Sequence, residues 1–382
     1  MSENQDSRFE QLEGLEDSYD QIQKIAIGGM AEVYRGRQKN LDRPVAIKRI
    51  KAEYRDSPDL QKRFEREARS AANLLHHNLA HVYDYKVVGK ESYIIMEYID
   101  GFDLAQIQEK VGELPVDVAT MVAVKVLQGL VQVHSHGMIH RDIKPDNIRV
   151  TTRGEVKIMD FGIALDPGEE NLTQPGILIG SPHYLAPEQI LGERLDSQAD
   201  LFAFGITFYE MLCNKRPFYE RDGETVYTVI KSGKFDPIES FRKDVPAFIR
   251  NIIERCLRVK VSDRPRSAEA VVQILEEYLI AEHSLSFEAR IRQFLMESKL
   301  MGGDPRLIDV GEKTDAQLPG QKWPYLERKY LWVWLLGLLL VLGSFYFLGS
   351  SSSLEGDVGA EATEKSQKEK PKSSLPGMPV DD

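Results

Sequence analysis

The chain has 382 residues, 42% of them hydrophobic and 29% charged, which excludes a collagen-like, low-complexity or polytopic membrane protein and leaves room for roughly two to three domain-sized units. Its net charge of −11 is carried by the ends: residues 1–20 hold seven acids against Arg8 alone, and residues 350–382 hold seven against four lysines. The body between them is close to neutral, which argues against a nucleic-acid partner. Cys213 and Cys256 are too few for a disulfide framework or a zinc site, and they read as buried thiols of a reducing compartment.

No basic stretch followed by an apolar core opens the chain, so no signal peptide is expected, and residues 1–19 read as an acidic tail. From Ile22 to Ile50 the pattern is that of three strands with turns. Between the first two lies Ala26-Ile27-Gly28-Gly29-Met30-Ala31-Glu32-Val33, a glycine-containing hairpin whose backbone N–H groups are open to phosphates. The next strand, Val45-Ala46-Ile47-Lys48, buries a lysine among apolar residues, and such a cation needs an anionic partner. Nucleotide phosphates are one candidate and Glu67 is another. Glu67 sits on a helix that places Phe64, Ala68, Ala71, Leu74 and Leu75 at helical spacing.

Farther along come His140-Arg141-Asp142-Ile143-Lys144-Pro145-Asp146-Asn147 and, after the strand Val156–Met159, Asp160-Phe161-Gly162. Two carboxylates and an asparagine on loops after strands supply hard oxygen ligands and a base, the set that phosphoryl transfer needs. Ala186-Pro187-Glu188 follows, then Asp200 and Arg264. Residues 283–329 read as a juxtamembrane linker, with Phe287, Ile291, Phe294 and Leu295 at helical spacing. Leu331–Leu348 is an uncharged run of eighteen residues, roughly 27 Å as a helix, with aromatic residues at both ends. It predicts one transmembrane helix over 330–349. Lys322, Arg328 and Lys329 precede it, which places the N-terminal side in the cytoplasm, and residues 350–382 read as a short disordered extracytoplasmic tail.

In order and spacing, these motifs resemble the eukaryotic-like protein kinases, and specifically the bacterial transmembrane serine/threonine kinases, whose glycine loop often carries the Gly-Gly-Met found here. The resemblance covers about residues 20–282. It implies an α+β, bilobal protein-kinase fold, with a small β-rich lobe of five strands and one main helix and a large helical lobe, followed here by the transmembrane helix. It implies transfer of the ATP γ-phosphate to Ser/Thr hydroxyls of proteins, this chain included, with ATP and Mg²⁺ (or Mn²⁺) as cofactors. Protein substrates and the membrane through 331–348 are the expected partners. The location implied is the cell inner or plasma membrane, single-pass, with the kinase domain cytoplasmic.

Matched residue by residue, the resemblance gives Asp142 as the base that orients the substrate hydroxyl and Lys144 as the cation that neutralises the transferring group. Lys48 holds the phosphates and Glu67 is its helix partner. Asn147 and Asp160 are the metal ligands. The nucleotide lies against Ile25, Ala26, Ile27, Gly28, Gly29, Met30, Ala31, Glu32, Val33, Lys48 and Met96 and the hinge Glu97, Tyr98 and Ile99. Lys144, two residues past Asp142, and Ser181 mark the Ser/Thr class. Glu188 with Arg264, and Asp200, are structural counterparts.

Two features depart from the family pattern. Ala26 and Ala31 replace the first and third loop glycines, and Arg149 stands where an aliphatic residue floors the adenine pocket. Arg149 either lays its stem under the base and sends its guanidinium outward, or weakens nucleotide binding. Thr173 is the only hydroxyl residue between Gly162 and Gly180, so it is the expected phosphorylation switch, with Arg141 as the phosphate's partner and self-association accompanying autophosphorylation. Glu169 or Glu170 is the competing partner for Arg141. The alternative to an active enzyme is a membrane-anchored pseudokinase acting as a scaffold, which the retention of Lys48, Asp142 and Asp160 disfavours.

Overall fold

The computed structural model describes residues 9–160, 182–282 and 286–302. Phe161, Gly162, Thr173, Ser181 and the apolar segment 331–348 lie outside the described residues.

The alternating stretches near the N-terminus pair as β1 (Tyr19–Ile27), β2 (Ala31–Gln38) and β3 (Arg43–Ile50), joined by β4 (Val82–Val88) and β5 (Glu91–Glu97). The strand order is β1-β2-β3-β5-β4, antiparallel throughout. Period-two alternation gives the sheet two faces. Ala31, Ala46, Ile50, Ile94 and Met96 pack on the face covered by helix α1 (Pro58–Ala72) through Phe64 and Ala68. Helix α1 starts where Ser57 Oγ accepts from Leu60 N–H and Pro58 takes the first turn, a position that needs no donor.

The opposite face carries Tyr34, Val45, Ile47, Tyr93 and Ile95, and residues 9–18 cover it. Leu12 and Leu15 are fully buried there, and the Tyr93 hydroxyl donates to the Glu13 carbonyl at 3.2 Å. The acidic tail expected over 1–19 is therefore corrected from residue 9 onward. Its acids had hidden two leucines, three apart, that close the small-lobe core.

The large lobe is built around α3 (Val116–Ser135) and α5 (Gln198–Cys213), with α2 (Leu104–Val111), α4 (Pro187–Leu191), α6 (Val226–Ser232), α7 (Ala247–Cys256) and α8 (Ala268–Glu282) around them. A three-stranded sheet of β6 (Gly101–Asp103), β7 (Ile148–Thr151) and β8 (Val156–Ile158) lies beside the hinge. Among the described residues α3 alone is long and apolar enough to cross a membrane, but 12 of its 20 residues are buried within this lobe. Cys213 and Cys256 are buried free thiols, each pushed up to about 12 by burial.

The last helix among the described residues, α9 (Phe287–Glu297), follows Ser286, whose hydroxyl accepts from Ala289 N–H. It buries Ile291, Phe294 and Leu295 in the large-lobe core. Lys125 on α3 pairs with Glu288 at 2.8 Å, and Arg290 reaches Asp117 at 2.7 Å. The helical spacing read in the linker beyond residue 282 thus belongs to a helix that packs on the large lobe.

Candidate active site

Lys48 sits on β3 on the face that packs against α1. Its Nζ donates to Glu67 Oε1 at 2.7 Å and to Asp160 Oδ1 at 3.0 Å. Burial works against the ammonium, but the carboxylates of Asp160 and Glu67 outweigh it and hold its pKa above the ordinary lysine value. Burial likewise opposes the Asp160 carboxylate, yet Lys48 prevails and keeps its carboxyl below the usual range. A cation fixed between helix and loop is thereby charged at any physiological pH.

The loop of residues 140–147 folds around Asp142. Lys144 Nζ reaches both carboxylate oxygens of Asp142, at 2.9 and 2.7 Å. Asn147 Nδ2 donates to Asp142 Oδ2 at 2.7 Å and to the Asp142 carbonyl at 2.8 Å. The loop is held from behind by Asp200 on α5, which is fully buried. Its carboxylate accepts from the backbone N–H groups of His140 and Arg141, each at 2.8 Å, and from His134 Nε2 at 2.8 Å.

His140 Nε2 donates to the Met159 carbonyl at 3.1 Å, while its Nδ1 accepts from Asp142 N–H at 3.4 Å. Burial lowers its pKa, so the ring serves as a neutral brace between the two acidic loops. Arg141 and Asp160 both adopt left-handed backbone, with φ of +69° and +44°, a conformation that non-glycine residues keep only where the surroundings enforce it. Deeper in the lobe, Arg264 grips Glu188 through two bonds of 2.6 and 2.8 Å.

The hinge is pinned by a cross-strand pair of cations. Arg149 and Lys157 face each other across β7 and β8. Lys157 Nζ bonds both oxygens of the Glu97 carboxylate at 3.0 Å. Arg149 Nε donates to the Ile99 carbonyl at 2.8 Å and Nη2 to the Gly101 carbonyl at 2.7 Å. Its guanidinium is thus turned to the backbone of the hinge and of β6. Gly101 lets β6 lie close on β7, since a Cβ there would collide with the backbone of Val150 and Thr151.

Of the residues expected to line the nucleotide, Ala31, Val33 and Met96 lie on the same sheet face as Lys48, and Ala26 pairs with Val33 across the strands. Ile25 and Ile27 are exposed. Gly28 N–H donates to the Ala31 carbonyl at 2.8 Å to close the turn, and Met30 accepts from Lys51 N–H. Neither Gly28 nor Gly29 takes left-handed backbone, and a Cβ on Gly29 would meet nothing within 4 Å. What these glycines supply is open access to the backbone.

Glu32, expected beside the nucleotide as part of the loop, turns its side chain away from the Lys48 face. Its carboxylate points to the other face, bonded to Arg49, Lys24 and Tyr34, and Arg49 and Lys24 hold its pKa down at about 2. Strand alternation puts Glu32 and Val33 on opposite faces. Sequence reasoning also missed Lys157, although it repeats the signal that found Lys48, a lysine inside an apolar strand.

The donor set fits a small hard cation. Asn147 gives its amide N–H bonds to Asp142, which leaves its amide oxygen for a metal, and Asp160 supplies a carboxylate. Among the described residues no group of three or more His, Cys, Asp or Glu forms a metal cage. Magnesium is bound in such places by one or two protein oxygens completed by phosphates and water.

Residues 19–275 match the protein kinase domain family. The chain belongs to the protein kinase family. A probable serine/threonine-protein kinase of Clostridium perfringens is 34% identical over 263 residues, covering 69% of this chain and 38% of that protein. The tyrosine-protein kinase MasK of Myxococcus xanthus is 33% identical over 277 residues, covering 69% of this chain and 43% of that protein. The chain thus spans about two fifths of the length of these curated relatives. Among solved structures, a crystal structure of Rad53 in complex with AMP-PNP superposes with a TM-score of 0.57 over 68% of this chain and 65% of that chain, at 24% identity, a likeness of fold.

Proposed function

We propose that this chain is a serine/threonine protein kinase that transfers the ATP γ-phosphate to protein hydroxyls. One observation carries the reading: Lys48, Glu67 and Asp160 from the small lobe, α1 and the β8 loop meet within 3.0 Å, beside a loop in which Lys144 and Asn147 both bond the Asp142 carboxylate. Lys48 would hold the phosphates of ATP, and the Rad53 neighbour carries an ATP analogue in the same fold. Asn147 and Asp160 would hold Mg²⁺, which supplies charge neutralisation of the phosphates when bound.

Asp142 accepts the proton of the incoming hydroxyl and aligns its oxygen. Lys144, already bonded to Asp142, offsets charge on the transferring group. Lys144 also favours a Ser/Thr substrate, as the Clostridium relative's name does. The name of the Myxococcus relative makes tyrosine the alternative to test.

Anchoring rests on the sequence alone: the apolar run 331–348, with basic residues before it, supports a single span with the kinase domain in the cytoplasm. Thr173 is the proposed autophosphorylation site, supported by its being the sole hydroxyl between Gly162 and Gly180.

The deciding experiment incubates the full-length chain, purified in detergent, with γ-labelled ATP and Mg²⁺, alone and with a generic protein substrate. Phosphoamino-acid analysis and mass spectrometry then read the products. Phosphoserine and phosphothreonine, with Thr173 among the sites, are expected. Phosphotyrosine alone would overturn the hydroxyl class, and nucleotide binding without transfer would establish the scaffold reading.

A further inference from the structure

The least expected residue of the cleft is Arg149, and its placement assigns it a task. It lies on β7, two residues past Asn147, and pairs across strands with Asp103 on one side and Lys157 on the other. Its Nε and Nη2 are committed to the carbonyls of Ile99 and Gly101, at 2.8 and 2.7 Å. One acceptor is hinge backbone and the other is the first residue of β6, so the guanidinium is a cation fixed where the hinge runs into β6, not a mobile surface charge. Lys157 adds a second cation on the same hairpin, itself nine-tenths buried and turned to Glu97.

The consequence concerns the base. Along the hinge, the Glu97 carbonyl, the Ile99 N–H and the Ile99 carbonyl follow one another. A purine that gives its 6-amino group to the first and takes its N1 bond from the second sets its C2 position against the third. Adenine has only C–H at C2 and asks nothing of that carbonyl. A purine with a 2-amino group brings an N–H donor to a carbonyl already bonded by a guanidinium and meets a positive charge there. A donor that loses its water without gaining a good acceptor is penalised, and more so beside a like-signed dipole or charge.

We infer that Arg149 is a specificity-determining residue of the nucleotide site, one that holds the Ile99 and Gly101 carbonyls so that the hinge excludes purines bearing a 2-amino group. This rests on the proposed use of ATP and deepens it. It also gives the arginine a reason to stand where an aliphatic side chain would otherwise floor the base.

The test compares ATP with the triphosphate of 2,6-diaminopurine riboside, which differs from ATP only by the 2-amino group. Equilibrium binding is measured on the full-length chain by competition with a fluorescent ATP analogue, which needs no phosphotransfer. Wild type is expected to prefer ATP by roughly tenfold or more. Arg149→Leu, which fills the floor without bonding the hinge, is expected to bring the ratio to within about threefold. Arg149→Lys, which keeps a cation but cannot span both carbonyls, is expected to retain part of the preference, and it serves if the leucine variant fails to fold. An equal ratio in wild type and both variants, or a wild type that takes the two nucleotides alike, overturns the inference while leaving the kinase reading intact. A wild type that binds neither nucleotide overturns the kinase reading itself, and this inference with it.

Discussion

Gly154 and Glu288 meet backbone to backbone. Gly154 occupies the turn between β7 and β8 with φ of +86°, and a Cβ built on it would fall within the van der Waals shell of the Glu288 carbonyl and of Arg292 N. Helix α9 therefore rests on the tip of the hairpin whose opposite end carries Asn147 before β7 and Asp160 after β8. The Lys125–Glu288 and Arg290–Asp117 pairs fix its register on α3.

Gly154→Ala is expected to destabilise the kinase domain by about 2–4 kcal/mol, from left-handed strain and overpacking acting together. Urea unfolding followed by circular dichroism reads the loss. A variant as stable as wild type would show that α9 does not dock on this turn.

Lys48→Met and Asp142→Asn should each lower phosphotransfer by roughly 10²-fold or more, but through different steps. Asp142 contacts Lys144 and Asn147 and none of the proposed phosphate clamp, so its variant should still bind nucleotide. Lys48→Met also leaves Glu67 and Asp160 facing each other without their shared cation, so nucleotide affinity should fall as well. Paired rate and binding measurements separate the two. Equal binding losses in both variants would contradict the division of roles.

The residues proposed to act in catalysis could be picked out in the sequence because the chemistry asked of them constrains both identity and spacing, and the structure brings Lys48 to Glu67 and Asp160, and Lys144 and Asn147 to Asp142. A lysine in the apolar strand at 48 and the Asp142–Asn147 loop leave few other interpretations. Three features were not legible, each for a physical reason. Leu12 and Leu15 are embedded in acids, so composition outweighed their burial. Helix α9 announced its periodicity but not its partner, since a helical stripe does not say which surface it meets. Arg149 has backbone carbonyls as partners, and these leave no mark on residue identity. The side-chain orientation of Glu32 followed from alternation with Val33, a signal present in the strand pattern.

Acid should loosen the domain through its histidines. Burial lowers the pKa of His76 to about 4, and burial also lowers those of His77 and His140. Each is neutral in the folded state and takes up a proton more readily when unfolded, near the ordinary value of about 6.5. The unfolded chain then binds more protons below that value, so stability is full above it and declines as pH falls from about 6.5 toward 4. Partly buried His76 accounts for about 1 kcal/mol of this after screening. Urea midpoints across that range should drop, and His76→Gln should flatten the slope. A midpoint constant down to pH 4 would refute the assignment.

Asp200→Asn is expected to strike turnover rather than nucleotide affinity. Asp200 is fully buried and accepts three bonds of 2.8 Å, two from the backbone of His140 and Arg141 and one from His134. All three partners are donors. An asparagine keeps the shape but replaces one acceptor oxygen by an NH₂ group, so at least one donor faces another donor in a buried site. The left-handed backbone of Arg141, at φ +69°, then loses the contact that holds it, and the next residue is Asp142. The proposed nucleotide contacts at Lys48 and the hinge lie on other elements and are untouched. Stability should fall by about 2–3 kcal/mol, and kcat by roughly 10–10²-fold, with KM for ATP nearly unchanged. Initial rates over a range of ATP concentrations, at a temperature where the variant is folded by circular dichroism, give both constants. A raised KM with kcat preserved would place the effect of Asp200 at the nucleotide and not at the loop that carries the base.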